Sequence, residues 1–490
     1  MFLFYLSIIH LSLSQDSHFP YMYSDCTHLI LPPRCQCYHS GNESQLHCYN
    51  IQLDFIPKLP NNMRWHTLDF SLNHIKTIPS YVFSDIYVEK IDLHTNHLQT
   101  IDDTAFGEIQ NLKQLLMNHN QLKEFNPNIL TSPGVTLEIL DLSYNPFEYL
   151  DIGGIFYELP VLKEFYAKSC QLNNSSLSSL IKLSNYSHQY IKIIDLSYNN
   201  LTSLCNNSFN SFSSLMELRL NNNKIFYIDH YFIHSLHYLR TLNLAFNSIE
   251  YVPHLFSPSL ENLNLSSNNI RHLNDYFASN LHSIRTIDFD SNKYLKTISL
   301  RSFCFINILT LEKLSFRHND ILSLNTFSEL LCRLLQYTNN SQNVLDVNYN
   351  VNLECNCMLT QFEKYLRDYS DLTCTQEGQD RYFISKVKKS FSNCTLEFCL
   401  LSNKENLCQW NDTQQIISEG TCQAIIMEHK TSTIKTTIES KVIKTTVKPN
   451  LWKNLTQNFT GFFEGRTFNG VSMKKIDYTS MCLLLFLLYI

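Results

Sequence analysis

Three histidines in the stretch IDHYFIHSLH, His230, His234 and His237, stand at i, i+4 and i+7. On a helix that spacing would put three imidazoles on one face, the arrangement by which side chains ligate a metal. Two C-x-C pairs, Cys35 with Cys37 and Cys355 with Cys357, are a second candidate, because paired thiolates hold zinc in reducing compartments. Cys170, in FYAKSCQL, sits among apolar residues, where a thiol is structural and inert rather than nucleophilic. No G-x-S-x-G, P-loop or H-E-x-x-H occurs, and 10 glycines in 490 residues leave little material for phosphate-cradling loops. The histidines also alternate with apolar Phe232 and Leu236, so solvated histidines on the back of a packed element are the better reading. Catalysis is not the expectation; the protein is read as no enzyme, with no cofactor and no metal.

The elements that carry these residues repeat. LDFSLNHIKTI begins at Leu68, and related phrases begin at Ile91, Leu115, Leu140, Phe165, Ile194, Leu218, Leu242, Leu263, Ile287 and Leu314, with a partial copy at Leu345. Self-similarity at about 24 residues means a stacked array rather than one globular core. Within a copy, as in Ile194-Asp195-Leu196-Ser197, alternation of apolar and polar residues marks a short strand with one buried face. An Asn then ends the strand: Asn73, Asn96, Asn120, Asn145, Asn199, Asn223, Asn247, Asn268, Asn292 and Asn319. Their amides are expected to form a ladder satisfying buried turns. A Phe about fifteen residues into most copies (Phe83, Phe106, Phe156, Phe209, Phe232, Phe256, Phe277, Phe303, Phe327) predicts an aromatic spine opposite the strands. One 24-residue unit buries too little alone, so units must stack.

This pattern resembles the leucine-rich repeat family, with Cys170 as the alternative to Asn that the pattern allows. The resemblance implies an α/β solenoid, a leucine-rich repeat horseshoe with a concave parallel sheet, over residues 65–350 in 11–12 repeats. Two cysteine quartets flank it: Cys26, Cys35, Cys37 and Cys48 in residues 26–64, and Cys355, Cys357, Cys374 and Cys394 in residues 351–398. Both are similar to the disulfide caps of extracellular members. The resemblance implies pairs Cys26–Cys37, Cys35–Cys48, Cys355–Cys374 and Cys357–Cys394. Asn350 is followed by Val351 rather than the usual Pro, a departure that bears on the local turn.

The apolar start MFLFYLSIIHLSLS reads as a signal peptide, residues 1–14. There are twelve N-x-S/T acceptors: Asn42, Asn173, Asn174, Asn185, Asn200, Asn206, Asn264, Asn339, Asn393, Asn411, Asn454 and Asn458. With the quartets these point to an oxidising compartment, where disulfides displace the zinc reading. Cys304 and Cys332 occupy equivalent points of adjacent repeats and are expected to bridge. Cys399, Cys408 and Cys422 lie in an extension, residues 399–426, and Cys205 has no obvious partner. The long fifth repeat carries three acceptors in NNSSLSSLIKLSNYS and reads as a solvated, glycan-bearing bulge.

A net charge of -6 argues against nucleic acid as a partner. Lysines at 386, 388 and 389, and again at 435, 441, 444 and 448, read as solvated surface. Residues 427–472 are a Thr/Lys-rich stalk, and 473–490 an apolar C-terminal signal. The ten residues MCLLLFLLYI make ~15 Å of helix against a ~30 Å hydrocarbon core. A glycolipid anchor is therefore expected, the alternative being a truncated transmembrane helix.

The expectation for function is a non-catalytic binding module on the outer face of the plasma membrane, acting in adhesion or cell recognition. It is similar to glycolipid-anchored adhesion proteins of the family and to Toll-like receptor ectodomains. An immune or growth-factor co-receptor and a secreted matrix protein are the alternatives. The partner would be an extracellular protein or a second copy of the chain. The outward strand positions, Asp69, Asp92, Leu116, Asp141, Tyr166, Asp195, Arg219, Asn243, Asn264, Asp288, Ser315 and Asp346, form one predicted column. A glycan on Asn264 would obstruct the ninth repeat. Tyr144, Tyr166, Lys168, Tyr198, Arg219 and Phe246 gather on the fourth to eighth repeats and are the expected contact residues, Tyr and Arg being the usual interface anchors.

Overall fold

The structure, a computed structural model, describes residues 30–383 except 41–42, 61–62, 181–187, 206–207, 230, 338–342 and 377–380. All of these fall in one compact unit, Met1–Cys422. The signal segment, the extension, the stalk and the apolar terminus lie outside the described residues, as do Cys26, Cys394, His230 and eight of the twelve glycan acceptors.

Twelve parallel strands build one sheet in chain order: Arg64–Asp69, Tyr87–Asp92, Gln114–Leu116, Ile139–Asp141, Glu164–Tyr166, Ile193–Asp195, Glu217–Arg219, Thr241–Asn243, Asn262–Asn264, Thr286–Asp288, Lys313–Ser315 and Leu345–Asp346. They define coils one to twelve. The N-terminal cap extends the sheet with an antiparallel hairpin, Gln36–Ser40 and Glu43–His47, whose second strand runs parallel to the first coil. The predicted column is observed in register from Asp69 opposite Asp92 through Asp195 opposite Arg219 to Ser315 opposite Asp346. The residue before each column position, such as Leu115, Leu140, Phe165 and Ile194, is buried, because successive strand residues face opposite ways.

The Asn residues work differently from the expected ladder. Asn199 donates through Nδ2 to the carbonyls of Leu196 (3.0 Å) and, one coil back, Ala167 (2.8 Å). Its Oδ1 accepts from the backbone N–H of Cys170 (2.9 Å) and Leu172 (3.0 Å). Asn96, Asn145, Asn223 and Asn247 repeat the arrangement, so each amide binds backbone of the preceding coil, not its neighbouring amide. Asn350 does the same in the twelfth coil, donating to Phe316 and Val347 and accepting from Ile321. Cys170 fills the fifth position: its thiol donates to the carbonyl of Leu142 (3.2 Å), and burial pushes its pKa up to about 12. Cys170 is the free cysteine among the described residues and is buried, as expected of a structural thiol.

The back of the coils carries aromatic contacts in separate runs. Phe83 stacks on Phe106 (5.4 Å between centroids), Phe156 meets Phe212 (4.7 Å), and Phe303 stands between Phe277 and Phe327. Phe256 does not join them. It is 38% exposed, and Leu255 is buried in its place. From Leu242 to Leu263 the eighth coil spans only 21 residues, which leaves less chain to carry the ring inward.

The fifth-coil insertion is only partly the expected bulge. Asn174–Ser178 forms a short helix, and Ser176, Leu177, Ser179 and Leu180 are buried. Ser179 Oγ accepts from the N–H of Gly153 (2.9 Å). A Cβ at Gly153 would lie 2.4 Å from the carbonyl oxygen of Ser179, so the close approach requires glycine.

Disulfides Cys35–Cys48 and Cys355–Cys374 close the two caps as the family pairing implies. Cys37 and Cys357 are disulfide-bonded as well. So are Cys304 and Cys332, both buried, and Cys205, for which the sequence offers no obvious partner.

Candidate interaction site on the sheet face

Every coil turns out of the sheet through a left-handed residue just before its Asn or Cys. In chain order these are Leu72, Thr95, His119, Tyr144, Ser169, Tyr198, Asn222, Phe246, Ser267, Ser291, His318 and Tyr349, with φ between 53° and 62°. None is glycine, so each such turn costs of the order of 1 kcal/mol, offset by the hydrogen bonds of the following amide. The backbone N–H still serves the sheet: Tyr144 donates to Lys168 (2.7 Å), Tyr198 to Asn221 (2.9 Å) and Phe246 to Ser266 (2.9 Å). A second side-chain column results beside the strand column, and its large members are displayed. Tyr144, Tyr198 and Phe246 are 37%, 49% and 56% exposed.

Three of the six expected contact residues meet. The ammonium of Lys168 lies 5.3 Å from the ring centre of Tyr144 and 4.8 Å from that of Tyr198, bridging the fourth and sixth coils. The Tyr144 hydroxyl holds this ammonium above its ordinary pKa, so it stays charged at neutral pH. On the other side of Tyr144, His119 stacks at 4.0 Å and 12°. Phe246 stands apart, two coils beyond Tyr198 with Asn222 between them in the column.

Tyr166 and Arg219 lie in the neighbouring strand column, separated by Asp195. Both are already partnered. The Tyr166 hydroxyl donates to Glu164 (2.8 Å), and burial followed by that hydrogen bond raises its pKa. Arg219 donates through Nε to Glu217 (2.7 Å) and places Nη1 3.3 Å from Asp195 Oδ2. They serve as a fixed floor beside the stack rather than as free groups.

The acids of the strand column are less solvated than their outward register suggests. Asp92, Asp195 and Asp346 are buried, and burial raises the pKa of Asp141 and Asp288. Each accepts the backbone N–H two residues on, as Asp141 does from Ser143 (2.9 Å) and Asp195 from Ser197 (2.9 Å). Their repeated occurrence reflects this strand-ending turn. Asn264 uses the same bond, accepting from Ser266 N–H (3.0 Å) and hydroxyl (2.7 Å), beside a shallow hollow of about 300 Å³ lined by Asn243, Thr286, Asp288 and Lys313.

Two groups escaped the sequence reading. His119 completes the stack, and a second cluster lies toward the C-terminal end: His318 stacks on Tyr349 (4.5 Å) with the Arg317 guanidinium 5.0 Å from the same ring. Both occupy the position before the Asn, and reading that position down the copies would have found them. The other early candidates do not assemble. His234 and His237 are exposed in a turn rather than on a helix, and His234 packs against Phe256 (4.8 Å). Among the described residues no three His, Cys, Asp or Glu side chains group as a metal site, and no helix is long and apolar enough to cross a membrane.

Residues 86–147 and 189–249 match the leucine rich repeat family. The same strand register and Asn turns continue through the coils outside these two stretches, and a disulfide lies at each end. This is a leucine-rich repeat solenoid. No curated protein matches its sequence. Among solved structures, the solenoid is similar to TLR13 in its complex with ssRNA13, at 19% identity and a TM-score of 0.39, covering 66% of this chain. It spans only 57% of that TLR13 chain. It is also similar to a chain of the octameric complex of Latrophilin 3, Unc5D and FLRT2, at 18% identity and a TM-score of 0.45, covering 65% of this chain and 92% of that one. A third likeness is the Leptospira interrogans protein LIC12759, at 18% identity and a TM-score of 0.47, covering 66% of this chain and 81% of the other. These likenesses speak to the fold alone.

Proposed function

We propose that the solenoid is a non-catalytic protein-binding module acting in adhesion or cell recognition at the outer face of the plasma membrane, and that its partner docks on the stack His119, Tyr144, Lys168 and Tyr198. The observation that carries this reading is the Lys168 ammonium held between two exposed tyrosine rings on an open sheet face. Rigid aromatic rings lose little conformational entropy on binding, and an ammonium among them becomes stronger electrostatically once a partner excludes water. Twelve strands at ~4.8 Å spacing give a sheet face of roughly 55 Å, enough for a protein rather than a small molecule. Passage through an oxidising compartment is consistent with the cap disulfides. Membrane attachment through residues 473–490 is part of the proposal. Its test is release of the full-length protein from intact cells by phosphatidylinositol-specific phospholipase C; persistence after treatment contradicts the anchor.

The binding role is tested with the secreted chain, residues 15–425, as bait against a library of cell-surface proteins and against itself. Capture of a surface protein, or of a second copy, that is lost in the Tyr198→Ala bait supports the reading. Capture unaffected by that substitution moves the site off the stack.

A further inference from the structure

Lys168 is a half-buried cation without a counter-charge. Its ammonium rests on the rings of Tyr144 and Tyr198, and no carboxylate among the described residues pairs with it. The acids around it are committed elsewhere. Asp195, whose charge it feels, takes Arg219 Nη1 at 3.3 Å and accepts from the Ser197 N–H and hydroxyl. Glu164 accepts the Tyr166 hydroxyl, Glu217 holds Arg219 Nε, and Asp141 accepts the Ser143 N–H. The second stack is different: the Arg317 guanidinium over the Tyr349 ring already has Asp346 Oδ2 at 3.8 Å, and Asp290 accepts its backbone N–H (2.8 Å). In water the missing anion at Lys168 costs little. A surface that covers Tyr144 and Tyr198 covers the ammonium between them as well, and two cation–π contacts return less free energy than complete removal of an ammonium from water costs. The covering surface must therefore supply an anion.

We propose that the partner is a protein that places one Asp or Glu side chain between Tyr144 and Tyr198, on the Lys168 ammonium, with apolar neighbours of that acid lying on the two rings. This rests on the stack being the docking site and names what fills it. The charges present fit a single acid rather than an acidic run or a sulfated chain. Arg219, the cation of the adjoining strand column, is already held by two acids, Glu217 and Asp195. Further anions laid along the face would meet those acids and be repelled. The exposed edges of Tyr144 and Tyr198 take the apolar part of the contact, and a carboxylate set between them forms a charge-assisted hydrogen bond shielded from water on both sides.

The test is a selection of random linear peptides displayed on phage against the purified full-length protein. Tyr198→Ala and Lys168→Met are compared with wild type, and Lys224→Met, at an exposed lysine of the seventh coil, is the control. Peptides bound by wild type and lost on Tyr198→Ala are synthesised with each Asp or Glu exchanged for its amide. One such exchange should weaken binding to wild type by about tenfold or more and to Lys168→Met by less than about twofold, with Lys224→Met behaving as wild type. Stack-dependent peptides that carry no acid overturn the acid and leave the docking site standing. So does an acid whose exchange costs as much on Lys168→Met as on wild type. Peptides that bind Tyr198→Ala as well as wild type, or a selection that returns none, overturn the docking site and the acid with it. If Lys168→Met is not secreted, the amide exchange on wild type decides alone, and a loss below about tenfold overturns the acid.

Discussion

The side-chain oxygen of Asn199 accepts the backbone N–H of Cys170 at 2.9 Å across a coil boundary, while its nitrogen reaches the Ala167 carbonyl of the same neighbouring coil at 2.8 Å. One buried amide thus joins two coils in both directions. Asn199→Ala would leave buried donors and acceptors unpaired in both coils, at ~1–3 kcal/mol for each lost partner. We expect a loss of roughly 3 kcal/mol or more, read as a lower midpoint in urea denaturation with the far-ultraviolet spectrum retained. A midpoint equal to wild type would mean that water replaces the amide.

Cys170 should be chemically silent in the native protein. Its thiol is buried and its pKa is pushed up to about 12, so little thiolate exists at pH 8. Iodoacetamide at pH 8 should leave it unmodified until the chain is unfolded in guanidinium, after which it should label fully. Labelling of Cys170 at native-state rates matching an exposed thiol would show that the fifth coil opens.

Acid should destabilise the coil that holds His188. Its ring is buried between Phe156 and Phe212, both 5.6 Å away, and burial lowers its pKa. The folded state therefore prefers the neutral ring. Its contribution is complete above the unfolded pKa of about 6.5 and is lost as pH falls from there toward the depressed folded value. From pH 7.5 to 5 the unfolding free energy of the wild type should fall relative to that of His188→Leu, because only the wild type loses stability through this group. Parallel pH profiles would remove His188 as the cause.

The adjacent acceptors Asn173 and Asn174 should differ in occupancy. Asn173 is exposed, whereas Asn174 donates to the Ser203 carbonyl (3.2 Å) and accepts from the Thr202 N–H (2.8 Å) of the next coil. A glycan on Asn174 would leave that junction unmade. Glycopeptide mass spectrometry of the secreted protein should place the sugar on Asn173. Full occupancy at Asn174 would show that the junction dispenses with its amide.

The strand register was legible because it follows from a two-residue period and a fixed repeat: all twelve outward positions, Asp69 to Asp346, were readable from the copies. What the strand acids do was not. Asp141 and Asp195 look like a solvated face until the backbone shows them ending their own strands. Tyr144, Lys168 and Tyr198 could be grouped from sequence; His119 holds the same position before its Asn and was readable down the copies, but the left-handed turn that displays that position is announced by no glycine. Phe256 missed the core because a coil three residues short of its neighbours shifts the ring outward while the repeat phrase looks intact.

The central claim is that the stack around Lys168 is where a partner docks, and paired affinities test it most directly. With the partner captured by the secreted chain, titration against wild type, Tyr198→Ala, Lys168→Ala and the remote control Tyr81→Ala gives the comparison. The account predicts at least a tenfold weakening for Tyr198→Ala and Lys168→Ala, ~1.4 kcal/mol or more, and wild-type affinity for Tyr81→Ala. Wild-type affinity for both stack variants, with their folding preserved, would contradict it.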